Sequence, residues 1–289
     1  MTGSAVVSLT APDYPERLAR APRAPHHLYV RGRLPQEPGR VVAVVGARAA
    51  SGHSMARARS IAADLAGAGV LVVSGGAVGV DSAAHRGALD GGGATVAVLA
   101  GGLDNLYPGR NRPLFAEIVR RGGALVSMHP DGMAPHRGTF LARNRVIAGM
   151  ADAVLVIDAQ QASGSISTAA AARKLGRVVA AAPGSPGGEM LLASGAALVE
   201  SAADLLAALD GAPRQRPATL PEAGSREALA LAALDPRAPL AGELVAARSG
   251  LAPREAARAL AGLELEGLAL LLPGDNYLRS PLAEQLMQG

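Results

Sequence analysis

The chain has no cysteine and no tryptophan, and only two phenylalanines and four tyrosines among its 289 residues. The absence of cysteine excludes disulfides, thiolate metal sites and thiol nucleophiles. No run of 18 or more apolar residues occurs, and the first residues lack a basic segment followed by an apolar core. We therefore expect a cytoplasmic protein that neither enters a membrane nor carries a secretory leader.

Lysine is nearly absent as well. Lys174 is the single lysine and arginine supplies the other 27 basic residues, so a Walker-type phosphate loop with its lysine is excluded. The charge is also unevenly distributed: residues 1–219 carry 22 basic and 15 acidic side chains, whereas residues 220–289 carry 6 basic and 9 acidic ones. A polyanionic partner is therefore expected to bind mainly to the first part of the chain.

Short apolar runs, separated by glycine-rich turns and helix-like segments, begin at residue 41. Their nearly continuous Val, Leu and Ala content indicates strands buried on both faces, and their alternation with helices predicts a doubly wound, mostly parallel α/β sheet. The length of the chain predicts two domains. The predicted strands are residues 41–45, 70–73, 95–99, 124–127, 153–157, 178–181 and 197–199.

Composition divides the chain into four segments. Residues 1–40, rich in proline and arginine, are expected to form an N-terminal extension that packs on a sheet domain of residues 41–210. Proline and glycine breakers at residues 211–224 are typical of a linker. In residues 225–289 three helical stretches precede a hairpin, the order found in a winged helix. Those helices are predicted at 226–234, 242–248 and 253–266, and the hairpin strands at 268–272 and 276–279.

Glycine-rich turns follow four of the predicted parallel strands, so they should meet at the carboxyl edge of the sheet, where open α/β folds bind ligands. Small residues at a helix start let a phosphate approach unpaired backbone N–H groups, and Arg48 can add a bidentate contact. Taken singly, each turn also suits an ordinary strand–helix connection. The turns are Gly46-Ala47-Arg48, Ser74-Gly75 with Gly79 and Asp81, Gly101–Asp104 and Ser163-Gly164-Ser165.

Residues 140–149 read Phe-Leu-Ala-Arg-Asn-Arg-Val-Ile-Ala-Gly, which places one of the few aromatics beside Arg143, Asn144 and Arg145. Arg137 lies three positions before Phe140. An aromatic face can stack a nucleobase while guanidinium groups hold the neighbouring phosphates. The alternative is that Phe140 is a core residue with a solvated arginine edge.

Several catalytic and cofactor patterns are missing. A Gly-x-Gly-x-x-Gly sequence followed by an acidic residue is not matched, and Gly-x-Ser-x-Gly does not occur. No histidine and carboxylate residues cluster at metal-ligand spacing, and His85 near a helix start is expected to serve packing or hydrogen bonding. We therefore predict no cofactor, no metal and no catalytic residue.

Taken in order, these motifs resemble the DprA/Smf family of DNA-processing proteins of natural transformation. The match runs from about residue 41 to residue 209 and extends weakly to both sides. It is carried by Gly46-Ala47-Arg48, Ser74-Gly75 with Gly79 and Asp81, Ala84–Leu89, Gly102–Asp104 with Tyr107-Pro108 and Asn111, Phe140 with Arg143-Asn144-Arg145, Ser163-Gly164-Ser165 and Pro183-Gly184-Ser185.

The resemblance implies an extended Rossmann-like domain that binds and protects single-stranded DNA without sequence preference and transfers it to the recombinase RecA. It also implies a homodimer without established catalytic activity. Arg48 and Arg137 would contact phosphates and Phe140 would stack a base, whereas the division of Arg143, Asn144 and Arg145 between DNA contact and bracing stays open. The full predicted DNA-binding set is Gly46, Ala47, Arg48, Ser74, Gly75, Gly79, Arg137, Phe140, Arg143, Asn144, Arg145, Ser163, Gly164 and Ser165.

Two departures from the family pattern affect the expected affinity for DNA: Val78 replaces an arginine and Glu189 replaces an asparagine. The alternative function is a nucleotide-processing enzyme, because Pro186-Gly187-Gly188 is similar to the loop of phosphoribohydrolases of the lysine-decarboxylase-like group. The net negative charge of residues 220–289 favours a protein contact or auxiliary role for the winged helix over duplex DNA binding.

Overall fold

The computed structural model describes residues 4–35, 39–212, 220–266, 268–272 and 274–288. This described part divides into two compact units. The first unit comprises its residues up to Glu189 together with 196–212, and the second comprises Met190–Gly195 and its residues from 220 onward. Separate clusters of buried apolar side chains form the cores of the two units.

The first unit is built on a sheet that has nine strands in the described residues, in the order β1-β2-β6-β5-β4-β3-β7-β8-β9. All neighbouring strands from β6 to β9 in this order are parallel, whereas β1–β2 and β2–β6 are antiparallel. The strands are β1 (Ala5–Ser8), β2 (His27–Gly32), β3 (Val41–Val45), β4 (Leu71–Ser74), β5 (Thr95–Leu99), β6 (Ala124–Ser127), β7 (Ala153–Val156), β8 (Val178–Ala181) and β9 (Ala197–Leu198).

Helices connect the parallel strands and cover both faces of the sheet, which is why β3, β4, β5, β6 and β7 are buried along their whole length. In the described residues, no helix is long and apolar enough to cross a membrane. The helices up to residue 209 are α1 (Glu16–Ala19), α2 (Gly52–Gly67), α3 (Val80–Asp90), α4 (Arg112–Arg120), α5 (Arg137–Met150), α6 (Gly164–Lys174), α7 (Pro186–Ala193) and α8 (Ala202–Leu209).

The predicted α/β class and mostly parallel sheet are confirmed. All seven predicted strands are present, and none of their ends is displaced by more than one residue. The N-terminal segment goes further than the predicted packed extension, because residues 5–8 and 27–32 add two antiparallel strands to the sheet. β2 pairs with β6, a partner far away in the chain, so the short apolar run Leu28-Tyr29-Val30 did not by itself predict this pairing.

Glycines permit a close approach of α2 and α3, the two helices that flank β3 and β4. A Cβ atom at Gly87 would overlap the backbone carbonyl of Arg59, and one at Gly91 would overlap that of Ala63. The backbones therefore touch at two successive turns of α3. The first turn of α3 lies against the turn after β3, where the Val80 N–H donates to the Ala47 carbonyl at 3.2 Å.

The second unit contains helices around a small antiparallel sheet with the order β10-β12-β11. Its core includes Leu231, Val245, Leu260, Leu263 and Tyr277. The three predicted helices and the hairpin are present with ends within one residue, and α12 adds a helix that was not predicted; the classification as a winged helix stays a prediction. The elements are α9 (Arg226–Ala233), β10 (Leu240–Ala241), α10 (Gly242–Ser249), α11 (Pro253–Leu265), β11 (Ala269–Leu272), β12 (Asn276–Arg279) and α12 (Pro281–Gln288).

Candidate functional site

A pocket of about 250 Å³ lies in the first unit beyond the carboxyl ends of β3 and β7. These strands are neighbours, but the chain proceeds from β3 toward β4 on one side and reaches β7 on the other. The pocket therefore occupies the switch point of the doubly wound sheet, where such folds bind ligands. Nine of the fourteen predicted residues line it: Gly46, Ala47, Arg48, Phe140, Arg143, Asn144, Ser163, Gly164 and Ser165.

Arg143 is buried beneath this pocket, although it belongs to an arginine-rich motif. Its guanidinium lies against Gly75, where a Cβ atom would overlap Nη1. The same Nη1 donates a hydrogen bond to the Val98 carbonyl at 3.3 Å and lies 3.9 Å from Oδ2 of Asp81. Arg143 therefore braces the floor of the pocket from within the protein, which is why residue 75 has no side chain.

Asp81 is the buried partner of Arg143 in the first turn of α3. Burial raises the pKa of the Asp81 carboxyl, and the Arg143 charge and the Ala77 N–H oppose this rise. Burial lowers the pKa of Arg143, while the Asp81 carboxylate acts in the opposite direction. Removing either partner would leave the other buried without a counter-charge, which is strongly destabilising.

Phe140 lies at the side of the pocket with its ring half-buried. The guanidinium carbon of Arg48 is 4.9 Å from the ring centroid, and that of Arg143 is 5.9 Å away. The ring of Tyr107 meets it edge-on, with centroids 6.2 Å apart and an interplanar angle of 69°. Cations therefore contact an accessible aromatic ring in a pocket, unlike the core packing of Phe115.

The N-terminus of α6 forms the opposite side of the pocket. Ser163 is the N-cap residue but makes no side-chain capping hydrogen bond, and its Oγ lies 2.8 Å from Oγ of Ser165. Asn144 donates through Nδ2 to the Gly164 carbonyl at 3.0 Å and to Oγ of Ser167 at 2.7 Å. Asn144 thus ties α5 to α6 and leaves the first-turn N–H groups of α6 beside a space that an anion can enter.

Other predicted residues support the pocket from behind. Ser74 is buried and donates to the Val44 carbonyl at 2.6 Å, which joins β4 to β3. Gly79 has φ of +81°, and a Cβ atom there would overlap the Ala47 carbonyl. His85 fulfils the expected hydrogen-bonding role, because its Nδ1 lies 2.9 Å from Oγ1 of Thr95.

Of the five predicted residues that do not line the pocket, Arg137 and Arg145 lie apart from it. Arg137 is exposed at the first position of α5, and Arg145 lines a separate groove on another side of that helix. Residues 140, 143, 144 and 147 share one helical face, whereas Arg145 is rotated by about 200° from Arg143 at about 100° per residue. The sequence spacing therefore carried the signal that separates Arg145 from the others.

The structure adds residues that were not predicted as part of the site, among them Ala77 and Tyr107. Ala77 lines the pocket, and Tyr107 lines an adjoining recess of about 40 Å³ together with Val78 and Gly75. Tyr107 follows β5 in a family motif, which was the available signal. Val78, at the position where the family has arginine, therefore does lie next to the candidate site.

Glu189 has a local structural role. Its Oε1 accepts a hydrogen bond from the Gly184 N–H at 2.8 Å, across the turn that leads into α7. Ser185 contributes at the same turn, where its Oγ accepts from the N–H groups of Ala159 and Gly188, each at 3.2 Å. The carboxylate at this family position thus stabilises a helix start.

Comparison with known proteins identifies relatives. A family model described as DNA recombination-mediator protein A matches residues 5–210. A DNA processing protein DprA of Mycobacterium tuberculosis is 43% identical over 249 residues, which cover 82% of this chain and 64% of the relative. DprA of Streptococcus pneumoniae is 38% identical over 200 residues, covering 67% of this chain and 70% of that protein. The chain thus spans less than two thirds of the mycobacterial relative's length.

Solved structures show the same similarity. DprA from Streptococcus pneumoniae superposes with a TM-score of 0.65 at 36% identity, covering 71% of this chain and 74% of that one. DNA processing protein A from Helicobacter pylori, whose structure was described for its single-stranded DNA binding mode, gives a TM-score of 0.64 at 26% identity. That match covers 73% of this chain and 97% of the other. The chain belongs to the DNA recombination-mediator protein A family, which is the DprA/Smf family.

Proposed function

We propose that this protein binds single-stranded DNA without sequence preference, and that the pocket beyond β3 and β7 holds one of its nucleotides. The observation that supports this most directly is the convergence of three distant segments on one pocket. Residues 46–48, 140–144 and 163–165 bring an aromatic ring, an exposed arginine and a helix N-terminus together. These are the three groups that a base and its flanking phosphate require.

The base is proposed to stack on Phe140. Arg48 covers this ring, and such a cation–π contact at an exposed site contributes about 0.5–1 kcal/mol. Stacking of a base on an aromatic ring contributes about 1–3 kcal/mol. The base can therefore displace the guanidinium, which then becomes free to pair with a phosphate.

The phosphate is proposed to lie at the N-terminus of α6. The hydroxyls of Ser163 and Ser165 and the first backbone N–H groups of the helix supply donors, and the helix dipole adds attraction for an anion. Arg48, on the turn after β3, adds a guanidinium group that can donate two hydrogen bonds to the phosphate.

The donors of the pocket favour binding that ignores base identity. Both amide hydrogens of Asn144 are engaged by acceptors on α6, and Arg143 is directed at Val98 and Asp81. The amide hydrogens of Asn144 and Nη1 of Arg143 are therefore engaged within the protein, whereas stacking on Phe140 accepts any base.

The positions of the carboxylates favour DNA binding over nucleotide cleavage as the function of the pocket. Among the fourteen residues described as lining the pocket, Asp81 alone carries a carboxyl group, and it is buried beside Arg143. Glu189, the acidic residue of the phosphoribohydrolase-like stretch, accepts from Gly184. We expect no free base on incubation with deoxynucleoside monophosphates, measured by chromatography, and its appearance would support the enzyme instead.

Family membership supports two finer proposals: transfer of the bound strand to RecA, and action as a homodimer. Transfer to RecA predicts that RecA filaments form faster on single-stranded DNA that is already bound by this protein. A homodimer predicts that light scattering gives twice the mass of one chain. In the apolar segment 191–209, Leu191, Leu192 and Leu205 are already buried within one chain. Leu198, Leu206 and Leu209 are partly exposed and are the leucines left for a dimer contact.

The central experiment compares the wild type with a variant carrying Arg48→Ala, Arg137→Ala and Phe140→Ala. Fluorescence anisotropy with labelled oligo-dT and with a duplex of equal length is measured at several salt concentrations. The wild type is expected to prefer oligo-dT, and the triple variant to lose that affinity. A control variant with Arg86→Ala, Arg120→Ala and Leu141→Ala loses two arginines and one large apolar side chain outside the pocket and should bind like the wild type. Equal affinity of the wild type and the first variant would contradict the proposal.

A further inference from the structure

A second depression lies between α5, α6 and the turn Ala21–Pro25 that follows α1. Its volume of about 630 Å³ lies within the range of about 300–1,000 Å³ that ligand pockets span. None of the residues that line it also lines the pocket of the proposed DNA site. The two surfaces are therefore distinct, although both use α5.

The floor of this groove is apolar. Leu18, Met128, Val146 and Leu175 contribute to it, and the small side chains of Ala142 and Ala171 leave the space between α5 and α6 unfilled. Leu141 is half exposed at its side, with 50% of its surface accessible. An exposed leucine that extends a concave apolar surface is typical of a protein interaction site.

The rim of the groove carries only positive charge. Arg23, Arg145 and Lys174 line it, all three are exposed, and the described lining includes no carboxylate. None of the three forms an ion pair with a described residue. Lys174 is also the single lysine of the chain. Unneutralised cations around an apolar floor complement a ligand that is both apolar and acidic.

We propose that this groove docks an acidic amphipathic helix of a partner protein. Its apolar side chains would enter the space between α5 and α6, and its carboxylates would pair with Arg23, Arg145 and Lys174. An amphipathic helix laid into an apolar groove is a common mode of peptide recognition. Nucleic acid fits this surface less well, because the described lining contains no aromatic ring on which a base can stack.

The test begins with a phage-displayed library of random 16-residue peptides, selected on the immobilised full-length protein. The expected survivors carry Leu, Ile or Phe at helical spacing with Asp or Glu between them. Synthetic versions are then measured by fluorescence polarisation. Lys174→Glu is expected to weaken binding about three- to tenfold, and Leu141→Asp more than tenfold, whereas oligo-dT affinity stays unchanged.

The control is Arg86→Glu, which makes a similar charge reversal at an exposed site of α3 outside the groove and should leave peptide binding intact. Lys174 is exposed in the last turn of α6, so its variant remains informative where Leu141→Asp fails to fold. The proposal is overturned if no acidic peptides are enriched, or if those enriched bind Lys174→Glu as tightly as the wild type. Weakening of oligo-dT binding by Lys174→Glu without such peptides would identify nucleic acid as the occupant.

Discussion

The guanidinium carbon of Arg48 lies 4.9 Å from the centroid of the Phe140 ring, so the turn after β3 and the first turn of α5 bring a cation and an aromatic ring into contact. Arg143 approaches the same ring from the protein interior at 5.9 Å. The surface proposed for a base and the charge proposed for its phosphate are therefore in direct contact. The effects of substitutions at Arg48 and Phe140 on the free energy of DNA binding should consequently not be additive.

Replacing the ring is expected to remove base stacking. For Phe140→Ala we predict that affinity for oligo-dT falls about 5- to 150-fold, which corresponds to the loss of about 1–3 kcal/mol of stacking. The loss should be similar at every salt concentration because stacking involves no counterion release. Anisotropy titrations with labelled oligo-dT measure it. Leu141→Ala, at the adjacent residue outside the pocket, should have no effect, and a Phe140→Ala protein with wild-type affinity would refute the stacking role.

Removing the charge of Arg48 should change the salt dependence. For Arg48→Ala we predict that the slope of log affinity against log salt becomes shallower by about 0.7, the value for one phosphate contact on a single strand. The same titrations, repeated from low to high salt, provide the slope. Arg86→Ala serves as the matched control on α3, and an unchanged slope for Arg48→Ala would show that Arg48 does not contact a phosphate.

A single methyl group at residue 75 is expected to disturb the floor of the pocket. The Cβ of Gly75→Ala would overlap Nη1 of the buried Arg143, so the guanidinium must leave its place beside Asp81. Overpacking of this kind costs about 1–3 kcal/mol. We expect a lower Tm by calorimetry together with weaker oligo-dT binding.

The control for that prediction is Gly67→Ala, at the C-terminal end of α2. Nothing lies within 4 Å of a Cβ atom placed there, so its stability should be unchanged or slightly raised. If Gly75→Ala matches the wild type in both Tm and oligo-dT affinity, Arg143 is not held in place as the structure indicates.

His85 predicts how stability depends on pH. Burial, with a smaller contribution from the Arg143 charge, lowers the pKa of His85 from 6.5 to about 3. Thr95 Oγ1 donates to the Val72 carbonyl and so accepts from Nδ1–H, while Nε2 is buried without a hydrogen-bond partner in the described residues. The folded state therefore keeps a neutral imidazole that the unfolded chain protonates below pH 6.5.

The unfolded state binds this proton more readily than the folded state does. The contribution of His85 to the free energy of unfolding is therefore fully present above pH 6.5. It is lost as the pH falls from 6.5 toward 3, by up to about 1.4 kcal/mol per pH unit. His85→Asn retains a donor toward Thr95 but cannot titrate. Urea unfolding at pH 7 and pH 4.5 should give a smaller difference in unfolding free energy for the variant, and an equal difference would contradict the burial of a neutral His85.

The strands show how much of the fold can be predicted from local sequence patterns. Runs such as Val41–Val45 are buried on both faces and alternate with helices, so their positions follow from the sequence to within one residue. The exceptions are Ala5–Ser8 and His27–Gly32, which lie in a segment rich in proline and arginine. His27–Gly32 pairs with the edge that β6 offers and Ala5–Ser8 pairs with His27–Gly32, and the β6 edge forms only when the sheet assembles.

The sequence by itself determined the fold class, the glycine-rich turns at one edge of the sheet and the set of residues expected to meet there. Buried apolar periodicity and turn chemistry are local properties, so they can be inferred without coordinates. The tertiary structure decided how the arginines divide between roles. Arg143 is buried beside Asp81, Arg48 contacts Phe140, and Arg145 faces a different groove. Helix rotation and the space left by Gly75 assign these places, because burial depends on what the rest of the chain packs against each face.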